Sequence, residues 1–127
     1  MEYFSGEWAA QLCKSINNNQ EYKNSSEGWK WKLILNQTGK TGLNPVFLDL
    51  NNGECREARI ATGDDFNISE FIIEADKETW ERILNKSLSP MQALMTKKLS
   101  ITKGNMSDLL PYVNSLKELL NSAMKIE

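Results

Sequence analysis

A chain of 127 residues is long enough for one folded domain with a single hydrophobic core, and we expect residues 1–127 to form one domain. The composition, with 40% apolar and 25% charged residues, is typical of a globular protein and excludes intrinsic disorder. The formal net charge is −2, so there is no excess of positive charge to attract a phosphate backbone, and nucleic acid is not expected as a partner.

The sequence contains no histidine. Serine, cysteine and aspartate nucleophiles therefore lack an imidazole base, and histidine-based metal sites cannot form. The carboxylate pairs Asp64–Asp65 and Glu78–Glu81 have no partner base or cofactor motif, and Gly39 and Gly42 are too closely spaced for a phosphate-binding loop. We expect no catalytic residue, no metal and no cofactor.

The cysteines and the first residues of the chain bear on its compartment. Cys13 and Cys55 lie outside any C-x-x-C pattern, which argues against zinc and against a disulfide-rich secreted scaffold and predicts two buried, reduced thiols. Residues 1–20 lack the basic start and apolar run of a secretory signal, and no segment approaches the ~20 apolar residues that span a bilayer. A cytoplasmic location is the expectation.

The first predicted element is a helix that opens at Ser5 or Gly6. Asparagines at positions 17–19 end it, and residues 22–28 form a short helical turn or a loop. The apolar residues of the helix recur at every fourth position and are Trp8, Leu12 and Ile16. This stripe predicts that the helix packs on a core.

Alternation of apolar and polar residues predicts a first strand from Trp29 to Leu35. Ile34 falls on one face of this strand, together with lysines. The other face is apolar and carries Trp29, Trp31, Leu33 and Leu35. A loop at residues 37–44 follows, because Gly39 and Gly42 interrupt the pattern.

A hairpin is predicted next, with a three-residue turn that places Gly53 in the left-handed region. Its strands are residues 46–50 and 54–61. This turn length pairs Val46 with Ala58 and Leu48 with Arg56 on the inner face. Arg56 is then a cation on an apolar face, where it requires an internal carboxylate or an anionic group of a ligand, and the sequence leaves both open.

Two capped helices follow a fourth strand at residues 68–75. Asp76 can cap a helix that ends near Lys86, because its carboxylate can accept from free backbone N–H groups. Ser89 and Gln92 form a capping-box pattern that predicts a short helix. The apolar residues of this short helix are Met91, Leu94 and Met95.

A fifth strand at residues 99–102 and a last helix complete the predicted elements. Asn105 or Ser107 can cap the helix, and Pro111 falls within its first turns. Its apolar stripe consists of Leu109, Leu110, Val113, Leu116, Leu120 and Met124. Hairpin-linked strands followed by helices predict an α+β fold with a mostly antiparallel sheet.

Three motifs in the C-terminal third have the order and spacing of a helix start, a strand and a last-helix start in one known family. They read Ser89-Pro90-Met91-Gln92-Ala93, Lys98-Leu99-Ser100-Ile101 and Gly104-Asn105-Met106. With two upstream segments at residues 46–53 and 75–84, the chain from Trp29 to Leu120 resembles the sterol carrier protein 2 family of small, lipid-binding sterol-transfer domains.

Two further segments, Glu7–Ala10 and Cys55–Arg59, resemble a stand-alone microbial branch of this family. The sequence also departs from the family pattern at two positions. Lys97 stands where a glycine is usual, and Lys103 is an extra residue before the glycine that opens the last helix. Both departures fall at the mouth of the family's binding site.

The resemblance implies a curved five-stranded sheet with helices packed on one face, and an apolar tunnel between the sheet and the later helices that the last helix partly closes. A lipid lies in such a tunnel, and Arg56 is a candidate for contact with its head group. The lipid-binding positions implied are Trp31, Leu48, Trp80, Leu84, Met91, Leu94, Met95, Leu99, Ile101, Met106, Leu109, Leu110 and Val113.

The residues themselves leave two points open. Methionines and leucines at helical spacing occur in a filled core as well as in a lined cavity, and the tryptophans can belong to either. The tryptophans are Trp8, Trp29, Trp31 and Trp80. Lys97, Lys98 and Lys103 can form a basic collar at the opening or a solvated strand edge.

The resulting hypothesis is a non-enzymatic lipid carrier that buries the tail of a fatty acid, an acyl thioester or an isoprenoid or sterol-like lipid. Transient contact with a membrane and a monomer or weak homodimer are expected. The alternative is a protein-interaction or dimerisation module with the same fold and a filled core, which would use exposed apolar residues such as Ile34 and Phe47 on the outer face of the sheet.

Overall fold

The computed structural model describes residues 3–38 and 44–126, so most of the predicted loop around Gly39 and Gly42 lies outside the described residues. The helices are α1 (Gly6–Asn17), α2 (Gln20–Ser25), α3 (Gly63–Ile68), α4 (Lys77–Leu84), α5 (Pro90–Met95), α6 (Met106–Leu109) and α7 (Val113–Met124), with a 3-10 turn at Leu110–Tyr112. The strands are β1 (Lys32–Gln37), β2 (Val46–Asn51), β3 (Glu54–Ile60), β4 (Phe71–Ala75) and β5 (Ser100–Lys103).

The strands form a five-stranded sheet in the order β3-β2-β1-β4-β5. Three neighbouring pairs are antiparallel, whereas β1 and β4 run parallel, so the sheet is mixed. The predicted α+β class is confirmed. The parallel pair arises because the chain leaves β3 through α3 and enters β4 beside β1, a connection that a hairpin cannot make.

The main core lies between one face of the sheet and helices that include α1, α4 and α7. Leu33 and Leu35 point into it from β1, as the alternation predicts, and Trp8 and Trp80 enter it from α1 and α4. Asp76 caps α4 through a hydrogen bond of 2.7 Å from the Thr79 N–H. Of the tryptophans, Trp8, Trp29 and Trp80 are buried, and Trp31 is half-buried.

The opposite face of the sheet carries a second, smaller core. Ile34 and Phe47 are buried there with Ile72, beneath Phe66 of α3. The prediction that Ile34 and Phe47 are exposed is therefore wrong. Residues 62–67 look like a polar turn in sequence, but residues 63–68 form a helix that covers the apolar centre of this face.

A charged contact holds α3 in place. The Arg59 guanidinium donates to both carboxylate oxygens of Asp65, at 2.9 Å from Nη2 to Oδ1, and lies 4.6 Å above the Phe47 ring. Asp65 also accepts from the N–H of Thr62, which completes a capping box at the start of α3. The hydrogen bonds from Arg59, more than any other contact, lower the pKa of the Asp65 carboxyl well below its usual range.

The hairpin between β2 and β3 differs from its prediction. The turn has two residues, Asn52 and Gly53, whose φ angles of 50° and 87° both lie in the left-handed region. Leu48 pairs with Ala58 and Val46 with Ile60, so the predicted pairs of Leu48 with Arg56 and Val46 with Ala58 are wrong. A register shift between Asp49 and Leu50 leaves Arg56 as the extra residue of a β-bulge.

This bulge changes the environment of Arg56. Its side chain is exposed and forms an ion pair with Asp49, with 3.1 Å between Nη2 and Oδ1. The prediction that Arg56 lies on the apolar inner face is wrong, although an internal carboxylate is indeed its partner. Cys55 takes the inward position and is buried, whereas Cys13 is half-buried, and both thiols are free.

The predicted last helix is interrupted. Asn105 caps the short helix α6, the 3-10 turn contains Pro111, and α7 begins only at Val113. Because the 3-10 turn has about three residues per turn, the apolar stripe shifts across it, and Leu110 is 61% exposed. The buried leucines of α7 are Leu116, Leu119 and Leu120.

Polar contacts anchor α7 to the N-terminal helices. The Asn19 amide donates to the Ser122 hydroxyl at 2.9 Å, and the Ser26 and Ser115 hydroxyls are 2.8 Å apart. These side chains are buried, so their hydrogen bonds fix the position of α7. None of the described helices has the length and apolar character needed to cross a membrane.

Candidate functional site

A cleft of about 470 Å³ opens at the end of the sheet where β1 and β4 begin. We call it the aromatic cleft. It is lined by Trp31, Glu70, Phe71, Gly104, Ser107, Asp108, Pro111 and Tyr112. Its volume lies within the range of about 300–1,000 Å³ that is common for small-molecule sites.

Three elements bring the aromatic side chains together. Trp31 directly precedes β1 and Phe71 begins β4, and the parallel pairing of Leu33 with Phe71 places these strand starts side by side. The rings of Trp31 and Phe71 stack with 4.0 Å between their centroids. Tyr112, from the 3-10 turn, meets Trp31 edge-on at 5.6 Å.

A fourth aromatic residue lies behind this wall. Trp29 is fully buried, and its ring is parallel to that of Tyr112 at 6.0 Å and edge-on to that of Trp31 at 5.3 Å. The Trp29 Nε1–H finds no hydrogen-bond acceptor in the part of the chain that the structure describes. The aromatic cleft is thus continuous with the main core through packed rings.

A second cleft, of about 250 Å³, adjoins the first. We call it the aliphatic cleft, because leucine, isoleucine and methionine form most of its wall. It is lined by Leu94, Lys97, Leu99, Ser100, Ile101, Gly104 and Met106. Gly104 belongs to the walls of both clefts.

The backbone of Gly104 requires glycine for two reasons. Its φ angle is +101°, a conformation that side chains rarely adopt. A Cβ atom at this position would lie 2.5 Å from Cδ1 of Phe71 and 2.9 Å from the Glu70 carbonyl oxygen. Gly104 therefore lets the chain pass directly against the Phe71 ring between the two clefts.

The structure explains why glycine is usual at the position of Lys97. Lys97 has a φ angle of +61° and follows the end of α5. The N–H of Lys98 bonds to the Ala93 carbonyl at 2.9 Å, and the N–H of Lys97 bonds to the Leu94 carbonyl at 3.2 Å. This is a Schellman ending, which normally places glycine in the left-handed position.

The extra residue before Gly104 is absorbed by β5. Ile73 pairs with Ile101 but Ile72 pairs with Lys103, so Thr102 is unpaired and forms a bulge. The Lys103 ammonium turns towards α3 and donates to the carbonyls of Phe66 and Asn67 at 2.9 and 3.0 Å. Lys103 is therefore a structural residue and not part of a collar around the clefts.

The other two lysines share one cleft. Lys97 and Lys98 both line a polar cleft beside the start of α4, and Lys97 also lines the aliphatic cleft. One member of each predicted carboxylate pair has a cationic partner. Asp65 is bound to Arg59, and Glu81 lies 3.9 Å from Lys77 on the surface of α4. No cluster of metal-ligating side chains occurs within residues 3–38 and 44–126.

The predicted lipid-binding residues fall into three groups. Those that line the two clefts are Trp31, Leu94, Leu99, Ile101 and Met106. Those buried in the main core, away from both clefts, are Leu48, Trp80, Leu84 and Leu109, and Met91 and Val113 are half-buried. Met95 is 79% exposed and, like Leu110, points to solvent.

Of the residues that line the aromatic cleft, sequence reasoning selected Trp31 alone as a binding residue. The seven that it did not select are Glu70, Phe71, Gly104, Ser107, Asp108, Pro111 and Tyr112. Apolar alternation places Phe71 on the correct face of β4, but its meeting with Trp31 depends on the parallel pairing of strands that are distant in sequence. Pro111 is the sequence signal for the break in the last predicted helix, and Tyr112, which follows this proline, lines the cleft.

Comparison with known proteins agrees with this architecture. The chain has a TM-score of 0.89 and 30% identity to a crystal structure of sterol carrier protein 2, covering 99% of this chain and 100% of the other. A conserved hypothetical protein from Thermus thermophilus, described as a candidate sterol carrier protein, gives a TM-score of 0.84 and 32% identity over 98% of this chain and 90% of that one.

The apo form of sterol carrier protein 2 from Yarrowia lipolytica shares the fold, with a TM-score of 0.60 and 12% identity over 98% of this chain and 100% of that chain. No curated protein matches the sequence significantly. The fold and these matches identify a small lipid-binding carrier domain. The chain belongs to the SCP-2 sterol transfer family, whose match covers residues 9–117.

Proposed function

We propose that this protein is a non-enzymatic carrier that binds one amphiphile across the two clefts. The observation that carries the proposal is that Gly104 lines both clefts, so an aliphatic cleft and an aromatic one lie side by side. Leu94 and Ile101, which are half-buried, offer aliphatic surface to a hydrocarbon tail. The aromatic cleft, which also contains polar groups, receives the end of the molecule nearer the head group.

The length of the buried hydrocarbon tail sets the scale of the binding free energy. A buried alkyl chain gains about 0.8 kcal/mol for each methylene removed from water. A chain of about twelve carbons therefore contributes about 10 kcal/mol before the costs of immobilising the ligand are subtracted. Micromolar binding follows without any strong polar contact.

Loading requires the carrier to meet the surface that holds the lipid, and exposed apolar residues supply a means of contact. Met95 and Leu110 are 79% and 61% exposed, and Met106 is 42% exposed at the wall of the aliphatic cleft. Lys97 and Lys98 are exposed in the same part of the sequence. This combination favours transient binding to a membrane with anionic lipids.

Native mass spectrometry of protein purified without detergent, followed by titration with an uncharged fluorescent analogue of a long-chain lipid, tests the carrier function. We expect a bound mass or uptake of the analogue at micromolar concentration. Leu94→Trp fills the aliphatic cleft and should weaken binding at least tenfold. The matched control is Ile68→Trp, because Ile68 is 52% exposed and lies at the end of α3 on the opposite face of the sheet.

Two results would contradict the proposal. The first is a clean apo mass with no uptake from mixed lipids. The second is equal loss of binding in Leu94→Trp and Ile68→Trp, which would indicate that the analogue binds away from the clefts.

A further inference from the structure

The aromatic cleft has a distinctive charge. Glu70 and Asp108 both line it, and none of the described residues in its wall is basic. Neither carboxylate takes part in an ion pair within the described residues. An anionic head group in this cleft would face two carboxylates that have no ion-pair partner among the described residues.

The Glu70 carboxylate is held in position by the backbone. Its Oε2 accepts a hydrogen bond of 2.8 Å from the Lys32 N–H, while the Glu70 N–H donates to the Lys32 carbonyl at 2.9 Å. No hydrogen bond to its Oε1 occurs within the described residues. One oxygen fixes the side chain at the start of β4, and the other remains able to meet a cation.

Aromatic rings complete the environment. Trp31, Phe71 and Tyr112 line the same cleft as the two carboxylates. Electron-rich rings with nearby carboxylates are the surroundings that stabilise an ammonium group, because the ring quadrupole attracts cations without requiring hydrogen bonds. A quaternary ammonium, which cannot donate hydrogen bonds, suits such a cleft well.

We propose that the head group bound in the aromatic cleft carries an ammonium group, either on a simple alkylamine or as the choline or ethanolamine end of a zwitterionic lipid. This inference rests on the proposed carrier function and narrows it. A fatty acid bound in the same orientation would place its carboxylate beside Glu70 and Asp108 and is disfavoured.

The second cleft offers the complementary charge. Among the described residues that line the aliphatic cleft, Lys97 carries the charge. Glu70 and Asp108 line the aromatic cleft, and Gly104 lies in the walls of both clefts. The phosphate of a zwitterionic lipid can approach Lys97 while its ammonium group occupies the aromatic cleft. A simple alkylammonium carries no phosphate, so Lys97 does not contribute to its binding.

The test compares twelve-carbon amphiphiles below their micellar concentration by isothermal titration at low salt. The probes are dodecyltrimethylammonium, dodecanoate and the neutral dodecyl maltoside. We expect dodecyltrimethylammonium to bind at least tenfold more tightly than dodecanoate. Glu70→Gln combined with Asp108→Asn should abolish this preference while leaving dodecyl maltoside binding within twofold.

The double variant is chosen to preserve the fold. Glutamine at position 70 keeps an oxygen that can accept from the Lys32 N–H, and Asp108 is exposed. The control variant Glu7→Gln with Glu81→Gln removes the same charge from exposed sites on α1 and α4. It should retain the full preference for the cation.

Lysophosphatidylcholine with a twelve-carbon chain distinguishes the two sources of ammonium. If Lys97→Gln weakens its binding but not that of dodecyltrimethylammonium, the head group is zwitterionic. If lysophosphatidylcholine does not compete with dodecyltrimethylammonium, the ligand is a simple alkylamine.

The inference is overturned if dodecanoate binds as tightly as the cation, or if the double variant keeps the preference. If dodecyl maltoside binds while no charge preference appears, the carrier function stands and the ammonium assignment fails. If none of the probes binds, both fail.

Discussion

The Trp31 indole stacks on the Phe71 ring with 4.0 Å between the centroids and an angle of 26° between the planes. These residues are 40 positions apart in sequence, and the parallel pairing of β1 with β4 brings them together. Their contact forms the back of the aromatic cleft, so a ligand that enters this cleft changes the surroundings of one particular tryptophan.

Intrinsic fluorescence should therefore report binding through Trp31. The other tryptophans, Trp8, Trp29 and Trp80, are at most 2% exposed, so a ligand in the cleft affects them less. We expect an emission shift or quenching on addition of dodecyltrimethylammonium, which Trp31→Phe should largely remove. Trp8→Phe is the control and should keep the change. An undiminished signal in Trp31→Phe would place the ligand elsewhere.

Replacement of Lys97 by glycine should stabilise the protein. The left-handed conformation of Lys97, with φ of +61°, costs about 1–2 kcal/mol for a residue with a side chain. Part of this gain is offset by the greater freedom of glycine in the unfolded chain, so we expect an increase of about 1 kcal/mol in the free energy of unfolding, measured in urea.

Lys97→Ala separates the backbone effect from the loss of charge, because alanine removes the ammonium group but keeps the Cβ atom. It should give no comparable gain. Equal stabilisation by glycine and alanine would mean that charge, and not the Schellman geometry, makes lysine costly here.

The contact between Arg59 and Asp65 should make stability depend on pH in the acid range. The pKa of Asp65 is lower in the folded protein than in the unfolded chain, so its ionised form stabilises the fold at neutral pH. This contribution is fully present above the unfolded pKa of about 4 and is lost as the pH falls through and below that value.

Asp65→Asn should lower the free energy of unfolding at pH 7 by about 1–3 kcal/mol, because it weakens charge-assisted hydrogen bonds. It should also flatten the loss of stability between about pH 5 and pH 2 in urea titrations. Asp64→Asn is the matched control, since Asp64 is the exposed neighbour of the buried Asp65. A similar acid profile in both variants would argue against this role for Asp65.

Phe47 should behave as a core residue and not as part of an interface between proteins. Phe47 is 3% exposed beneath α3, so Phe47→Ala should lower the free energy of unfolding by about 3–5 kcal/mol. The sedimentation coefficient of the folded protein should stay the same. Ile60→Ala, at a 40% exposed position on β3, should change stability by less than about 0.5 kcal/mol. Altered self-association at unchanged stability would instead support an interface.

The two thiols should differ in reactivity. The contact between the two side chains lowers the pKa of Cys13, whereas the same contact, together with burial, raises the pKa of Cys55, and Cys13 is also the less buried thiol. A disulfide reagent such as Ellman's reagent should therefore modify Cys13 first. Cys13→Ser should remove the fast phase and Cys55→Ser should retain it. A fast phase that survives in Cys13→Ser would reverse the assignment.

Elements whose signals lie within a few residues could be predicted from sequence. The stripe of Trp8, Leu12 and Ile16 predicts α1, and Asp76 and Ser89 cap α4 and α5 as their local patterns indicate. Capping and amphipathic spacing act over one or two turns of chain, so the sequence carries them directly.

Features that depend on distant partners could not be predicted in this way. Asn51-Asn52-Gly53 fits a two-residue turn as well as a three-residue one, and the choice decides whether Arg56 points to the core or to solvent. The short polar helix α3 is stabilised by Arg59, which lies outside it. The aromatic cleft depends on a parallel pair of strands, whose register no local pattern encodes.

Gly104 is a single backbone position that shapes both clefts. The two clefts differ in chemistry, yet they meet at a residue that has no side chain and packs against Phe71. A methyl group there would overlap the Phe71 ring, so it would displace this ring from Trp31 and change the walls of both clefts. If one amphiphile occupies both clefts, as proposed, a single substitution at Gly104 therefore reshapes both parts of its binding site at once.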